Sequence, residues 1–301
     1  MTLYISSVSF EERCLALVTG LGSARTDDAT ILVDFNGYEN VEPYLFHRQQ
    51  VVSNVISKGY SLARIEADLG APLEAINRIE IAIRDSSPDD IVIDISTFPR
   101  NYLFCVCRLL AILGIPTHVR YYRPKDYGSE LSRGIGLLRA IPGFEGDVGS
   151  SGETVLAVIL GFEGYKALYA WESIGPSKVV ALWGDPPFEP EFLRVSQEKN
   201  RDFIDQAGNV IEKVLHTSDA LVAKSQLQEV YDEYSRRGSD VSFVLCPLGT
   251  KLQSLAAFGF AYENDDVAVA YVSSLIYFTE DYSRGYQEHY TELSLNELIS
   301  C

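Results

Sequence analysis

Along the chain, short runs of β-branched and apolar residues alternate with longer stretches in which apolar residues recur every three or four positions. The first pattern reads as buried strands and the second as amphipathic helices. In the first half it predicts strands over Leu3–Ser6, Thr30–Phe35, Ser61–Glu66, Asp90–Ile95 and Thr117–Tyr122. Helices are predicted over Phe10–Gly20, Val41–Lys58, Pro72–Asp85 and Asn101–Leu113. The second half repeats the order, with strands over Thr154–Leu160, Lys178–Trp183, Asn209–Leu215, Val241–Cys246 and Val267–Val272. Its helices fall at Tyr165–Ser173, Pro190–Gln206, Ser218–Arg237 and Lys251–Glu263. Runs such as Ile91-Val92-Ile93-Asp94-Ile95 are apolar almost throughout, as strands covered on both faces require. Strand and helix in alternation predict βαβ units. The expected fold class is therefore α/β: two tandem Rossmann-like units, each with a mostly parallel five-stranded sheet flanked by helices.

The two halves also share landmarks, which points to internal duplication. Phe10-Glu11 returns as Phe162-Glu163, the loop ending at Arg100 returns as the loop ending at Lys251, and Ser132-Arg133-Gly134 returns as Ser283-Arg284-Gly285. The Gly- and Ser-rich stretch after Ile141 places the boundary. The expectation is a first domain over residues 1–140, a linker over 141–153 and a second domain over 154–301. A binding loop is the other reading of Ile141–Gly146. Two such halves packed face to face would form a pseudo-twofold cleft, the expected place for a ligand.

Charge narrows the function. The 301 residues carry 25 Lys and Arg against 42 Asp and Glu, a formal −17. That balance argues against broad binding to nucleic acid but leaves room for a locally held anion. The longest apolar stretch, Tyr102–Pro116, contains Arg108 and is too short to span a bilayer, so no membrane association is expected. No signal peptide is read at the N-terminus. Five cysteines and four histidines are scattered without metal-ligand spacing, which predicts no metal site and a reduced, cytoplasmic protein, with carboxylate-bound Mg²⁺ the alternative left open.

Ligands of open α/β sheets bind outside the carboxyl ends of the strands, where helix N-termini point. Four loops qualify. Ser6–Arg13 and Gly161–Lys166 follow the first strand of each half, and each carries Phe-Glu and then a cation. Glu11 and Glu163 are the candidate catalytic residues, as general bases; capping of the following helix is the alternative. Asp94–Arg100 and Cys246–Lys251 follow the fourth strands. Ser96, Thr97 and Arg100 in one, and Gly249, Thr250 and Lys251 in the other, combine hydroxyls, amides and a cation suited to phosphate or carboxylate. The alternative makes the hydroxyls N-caps and the cations surface groups. Arg133 and Arg284 could grip phosphate bidentately or tie down a turn. Tyr121, Tyr122, Tyr127, Tyr271, Tyr277, Phe278, Tyr282 and Tyr286 suit base stacking or internal packing. No Walker loop, Gly-x-Gly-x-x-Gly after a strand, or Gly-x-Ser-x-Gly elbow is present.

The segment Leu245-Cys-Pro-Leu-Gly-Thr-Lys-Leu-Gln-Ser-Leu-Ala-Ala257 resembles the strand, Gly-Thr-Lys and helix segment of CRISPR-associated Rossmann-fold (CARF) sensor domains. It departs from them at Leu248, where a second glycine is usual, and the first half has Phe98-Pro99-Arg100 instead of Gly-Thr-Lys. The resemblance implies binding of a cyclic oligonucleotide messenger, as in the related SAVED domains that fuse two such units. It also implies a place in bacterial antiviral defence, with Thr97, Arg100, Gly249, Thr250 and Lys251 lining the site. The resulting expectation is a sensor or adaptor that binds a cyclic or linear nucleotide or another phosphorylated small molecule and acts on a protein effector. The alternatives are a phosphoesterase that degrades such a messenger, and a structural subunit of a defence complex with a degenerate cleft. No catalytic nucleophile is evident, and the second half is expected to hold the ligand more firmly.

Overall fold

A computed structural model describes every residue except 26, 148–151, 236–239 and 300–301. The end of the helix expected at Ser218–Arg237 and part of the expected linker therefore lie outside the described residues. The strands in chain order are β1 Thr2–Ser7, β2 Ala29–Phe35, β3 Ser61–Ala67, β4 Asp90–Asp94, β5 Thr117–Tyr122, β6 Asp126–Tyr127 and β7 Ser132–Ala140. They continue with β8 Thr154–Ile159, β9 Lys178–Gly184, β10 Val210–Leu215, β11 Ser242–Pro247, β12 Val267–Tyr277, β13 Ser283–Arg284 and β14 Tyr290–Ser294. The helices are α1 Ala16–Gly20, α2 Glu42–Ser57, α3 Pro72–Ser86, α4 Arg100–Leu113, α5 Gly164–Ile174, α6 Pro190–Lys199, α7 Arg201–Ala207, α8 Ala220–Tyr234, α9 Lys251–Glu263 and α10 Leu295–Leu298. A 3₁₀ turn, Glu12–Leu15, leads into α1.

The chain forms two compact units. The first comprises Met1–Leu131 and residues 277–299; the second is Ser132–Ile276. In the first, the sheet order is β14-β5-β4-β1-β2-β3. Strands β1 to β5 are parallel, and β14 lies antiparallel on β5, with Tyr290 opposite Tyr122 and Ser294 opposite His118. In the second, the order is β10-β9-β8-β11-β12-β7, with β8 to β12 parallel. Gly134 sits beside Leu275 and Gly136 beside Ser273, so β7 runs antiparallel to β12. Each unit thus has a mostly parallel sheet in the Rossmann-like order 3-2-1-4-5.

Each sheet has a sixth strand that the sequence pattern did not predict, and each is borrowed. Strand β7 precedes the second set of five strands but completes the second sheet, while β14, at the far end of the chain, completes the first. The units are therefore not the consecutive halves expected on either side of 141–153. The stretch following β7 belongs with the second unit: Ile141 and Phe144 are buried. The Ile141 N–H donates to the Val269 carbonyl, and the Val269 N–H to the Phe144 carbonyl, both at 2.9 Å. These contacts build a paved edge rather than a loose linker.

The cores follow from the apolar runs. In the first unit Leu17, Val18, Leu32, Val51, Val55 and Val92 pack between sheet and helices; in the second Leu156, Val158, Ala167, Val179, Ala181 and Phe203 do so. Full burial of a side chain the size of Leu or Val contributes about 1.5–3 kcal/mol. The single helix expected over Pro190–Gln206 is two, broken at Asn200, whose amide donates to the Ser196 carbonyl at 2.7 Å and the Gly161 carbonyl at 2.8 Å. Among the described residues no helix is long and apolar enough to cross a membrane.

Candidate functional site

The strand order reverses between β1 and β4 in the first unit and between β8 and β11 in the second, and crevices at such points are where open α/β sheets take ligands. The loops after those four strands are the four picked out by the sequence.

In the first unit the loop after β4 is turned inward. Ser96 is fully buried; its hydroxyl donates to Asp94 Oδ1, its N–H donates to the same oxygen at 2.9 Å, and its Oγ accepts the Tyr122 N–H at 2.8 Å. Thr97 Oγ1 lies 2.8 Å from Ser7 Oγ and donates to the Ser7 carbonyl at 3.2 Å. The two residues therefore tie β4 to β5 and to β1. Neither caps α4, whose N-cap is Pro99. Phe98 is fully buried edge-on to Phe35, and Arg100, half-buried, opens α4. Asp94 is also buried, its Oδ2 has no hydrogen-bond partner, and burial pushes its carboxyl up to about 6 against the opposing Ser96 hydrogen bonds and the charges of Arg13 and Arg120.

In the second unit the equivalent loop is more open. Thr250 is the N-cap of α9 in a capping box: its Oγ1 accepts the Gln253 N–H at 3.2 Å, and Gln253 Oε1 accepts the Thr250 N–H at 3.0 Å. The Thr250 hydroxyl also donates to the Thr217 carbonyl at 3.0 Å. Capping, weighed as the alternative for Thr250, is what this geometry shows. Lys251 is the first residue of α9 and half-buried. A Cβ on Gly249 would collide with Gln253 and Ile159, and one on Gly161 with the Leu248 carbonyl, so the loops after β8 and β11 meet backbone to backbone. Gly161 and Gly249 both remain partly exposed.

Glu11 and Glu163 do not cap with their side chains, which accept no backbone N–H from the turns they precede. Each is buried in an ion pair instead. Glu11 Oε2 pairs with Arg13 Nη2 at 2.5 Å and accepts the Ser283 hydroxyl at 2.7 Å. Burial opposes the charge on Arg13, but Glu11 together with Tyr121 and Tyr127 more than offsets it and holds the guanidinium above its ordinary range. Glu163 pairs with Lys166 at 2.9 Å and accepts the Ser132 hydroxyl, whose oxygen lies 2.7 Å from Tyr165 Oη and accepts from Ser274 Oγ at 2.6 Å. The serine of each Ser-Arg-Gly triplet thus lands on the acidic residue of the unit that borrows it.

Arg284 is exposed in the first unit and bonded to Asp281 at 2.6 Å and Asp126 at 3.0 Å, with its pKa raised by those partners, Asp281 first. It ties down a turn. Arg133 is exposed on β7 in the second unit. The tyrosines divide: Tyr121 and Tyr122 are buried, while Tyr277 and Tyr282 pack on Phe10 at centroid distances of 6.3 and 5.6 Å. Among the described residues no group of three or more His, Cys, Asp or Glu is arranged to hold a metal ion.

No protein-family model matches the chain, and a search of curated proteins returns no match.

Proposed function

We propose that the second unit binds a nucleotide-type or other phosphorylated small molecule where β8 and β11 end, and that the chain serves as a sensor or adaptor. The observation that carries this reading is the meeting of Gly161 with the Leu248–Gly249 backbone beside the start of α9, with Lys251 in the first turn. Bare backbone, a helix N-terminus and a cation at a strand-order reversal suit a phosphate. The first unit contributes less, because Ser96, Thr97 and Phe98 are committed to its interior. The likeness of Leu245–Ala257 to CARF sensors favours a cyclic oligonucleotide and a role in bacterial antiviral defence, with a protein effector receiving the signal.

A messenger-degrading enzyme needs a carboxylate available as base, and Glu11 and Glu163 are each buried and engaged by a cation and a hydroxyl. The sensor reading is therefore preferred. Its test is a thermal-shift and calorimetric screen against mono-, di- and cyclic nucleotides, with chromatography of each hit for breakdown. Wild type binds without breakdown, and Lys251→Ala weakens binding about tenfold or more, as loss of a charge-assisted phosphate contact does. Equal affinity in Lys251→Ala overturns the site.

A further inference from the structure

Beside the start of α9 lies a polar atom that the fold itself does not use. Thr217 follows β10 and is only 4% exposed, yet its Oγ1 has no hydrogen-bond partner. Folded proteins leave few buried hydroxyls in that state, and each calls for an explanation. The oxygen faces Gly184, the last residue of β9: it lies 2.8 Å from where a Cβ on Gly184 would stand, and Gln253 Nε2 lies 3.3 Å from the same point. Any side chain at 184 would press on both groups.

The position of Thr217 is fixed by α9. Its carbonyl accepts the hydroxyl of Thr250, the N-cap of this 13-residue helix, so the unused oxygen sits next to the end of α9 that favours an anion. We propose that Thr217 Oγ1 hydrogen-bonds a hydroxyl of the ligand adjacent to its phosphate, so that the second unit takes ribose phosphates in preference to their deoxy forms. This assignment rests on the phosphate-binding reading of the same loop. It adds a selecting residue from the loop after β10, which no sequence motif marks. A site built to pair a ligand hydroxyl penalises the analogue lacking it, since its own buried group is left unmatched.

The experiment is isothermal titration with ribonucleoside 5′-monophosphates and cyclic diribonucleotides, each compared with its 2′-deoxy and 3′-deoxy forms. Wild type is expected to bind one ribose form at least about tenfold more tightly than its deoxy counterpart. Thr217→Val, which keeps the shape and removes the hydroxyl, abolishes that preference while leaving deoxy-form affinity unchanged; Thr217→Ser retains the preference. Unchanged deoxy affinity also shows that the valine variant is folded. If nucleotides bind but wild type does not discriminate, or Thr217→Val still does, the role of Thr217 is overturned and the phosphate site stands. If none of the ligands binds wild type, both fall together.

Discussion

Asp94 makes the stability of the first unit depend on pH in the direction opposite to that of an ordinary salt-bridged carboxylate. Its carboxyl is lifted from 3.8 to about 6 by burial, and one oxygen is unpartnered. A raised pKa means that the folded state holds the proton more tightly than the unfolded state. The stabilisation is fully present below about pH 4 and is lost as pH rises through about 6. A shift of about two units at about 1.4 kcal/mol each is worth about 3 kcal/mol. The perturbation is Asp94→Asn, which keeps an acceptor for the Ser96 N–H and hydroxyl but never ionises. Its unpaired amide costs about 1–3 kcal/mol at every pH, so the informative quantity is the slope. Urea unfolding of both proteins, followed by circular dichroism between pH 4 and 8, is expected to show the variant gaining about 3 kcal/mol on wild type across that range, most of it between pH 4 and 6. A difference that is flat with pH, or that moves the other way, would refute the reasoning.

The buried ion pairs give two further expectations. Glu163→Ala removes the buried ion-pair partner of Lys166 and should cost about 3–5 kcal/mol, read as a lower denaturant midpoint, and Glu11→Ala should do the same for Arg13. Ser132→Ala and Ser283→Ala remove one donor each to a charged acceptor and should cost about 1.5–3 kcal/mol; amide exchange should quicken in β7 for the first and in β13 for the second. By contrast, Arg284→Ala breaks only exposed pairs and should change stability by less than about 1 kcal/mol in a thermal melt. Gly249→Ala forces a Cβ onto Gln253 and Ile159; it should lower both the melting temperature and nucleotide affinity, whereas Gly175→Ala, with nothing nearby, should spare affinity.

The central parallel strands were legible because a strand buried on both faces has to be apolar throughout. Thr117–Tyr122 and Lys251–Glu263 match their elements residue for residue. Proline opened α3 and α6, and a left-handed glycine closed α4 and α5, where the apolar periodicity stopped. The sixth strands left no such trace. Strand β14 is exposed over its first three residues, and β7 carries Gly134 and Gly136, which read as turn residues although Gly136 is what lets β7 lie against Ser273 and Ser274. The loops showed which residue types stand at the sheet ends but not which way they face: Ser96 and Thr97 turn inward to bonds with Tyr122 and Ser7. The Glu-plus-cation pattern was visible as well. Its third member was not, because Ser283 is 272 residues from Glu11 and only the fold brings them together. The repeated triplet was the available clue, and its arginine drew attention from the serine that makes the contact.

The borrowed edge strands have a consequence for how the chain can be divided. Cut within 141–153, it would yield two fragments, each carrying the strand that completes the other's sheet. Neither would have its full sheet alone, and together they would be complementary. Unlinked and identical, such fragments would be a domain-swapped homodimer. Here the exchange of edge strands lies within one polypeptide, which keeps the two units in equal number.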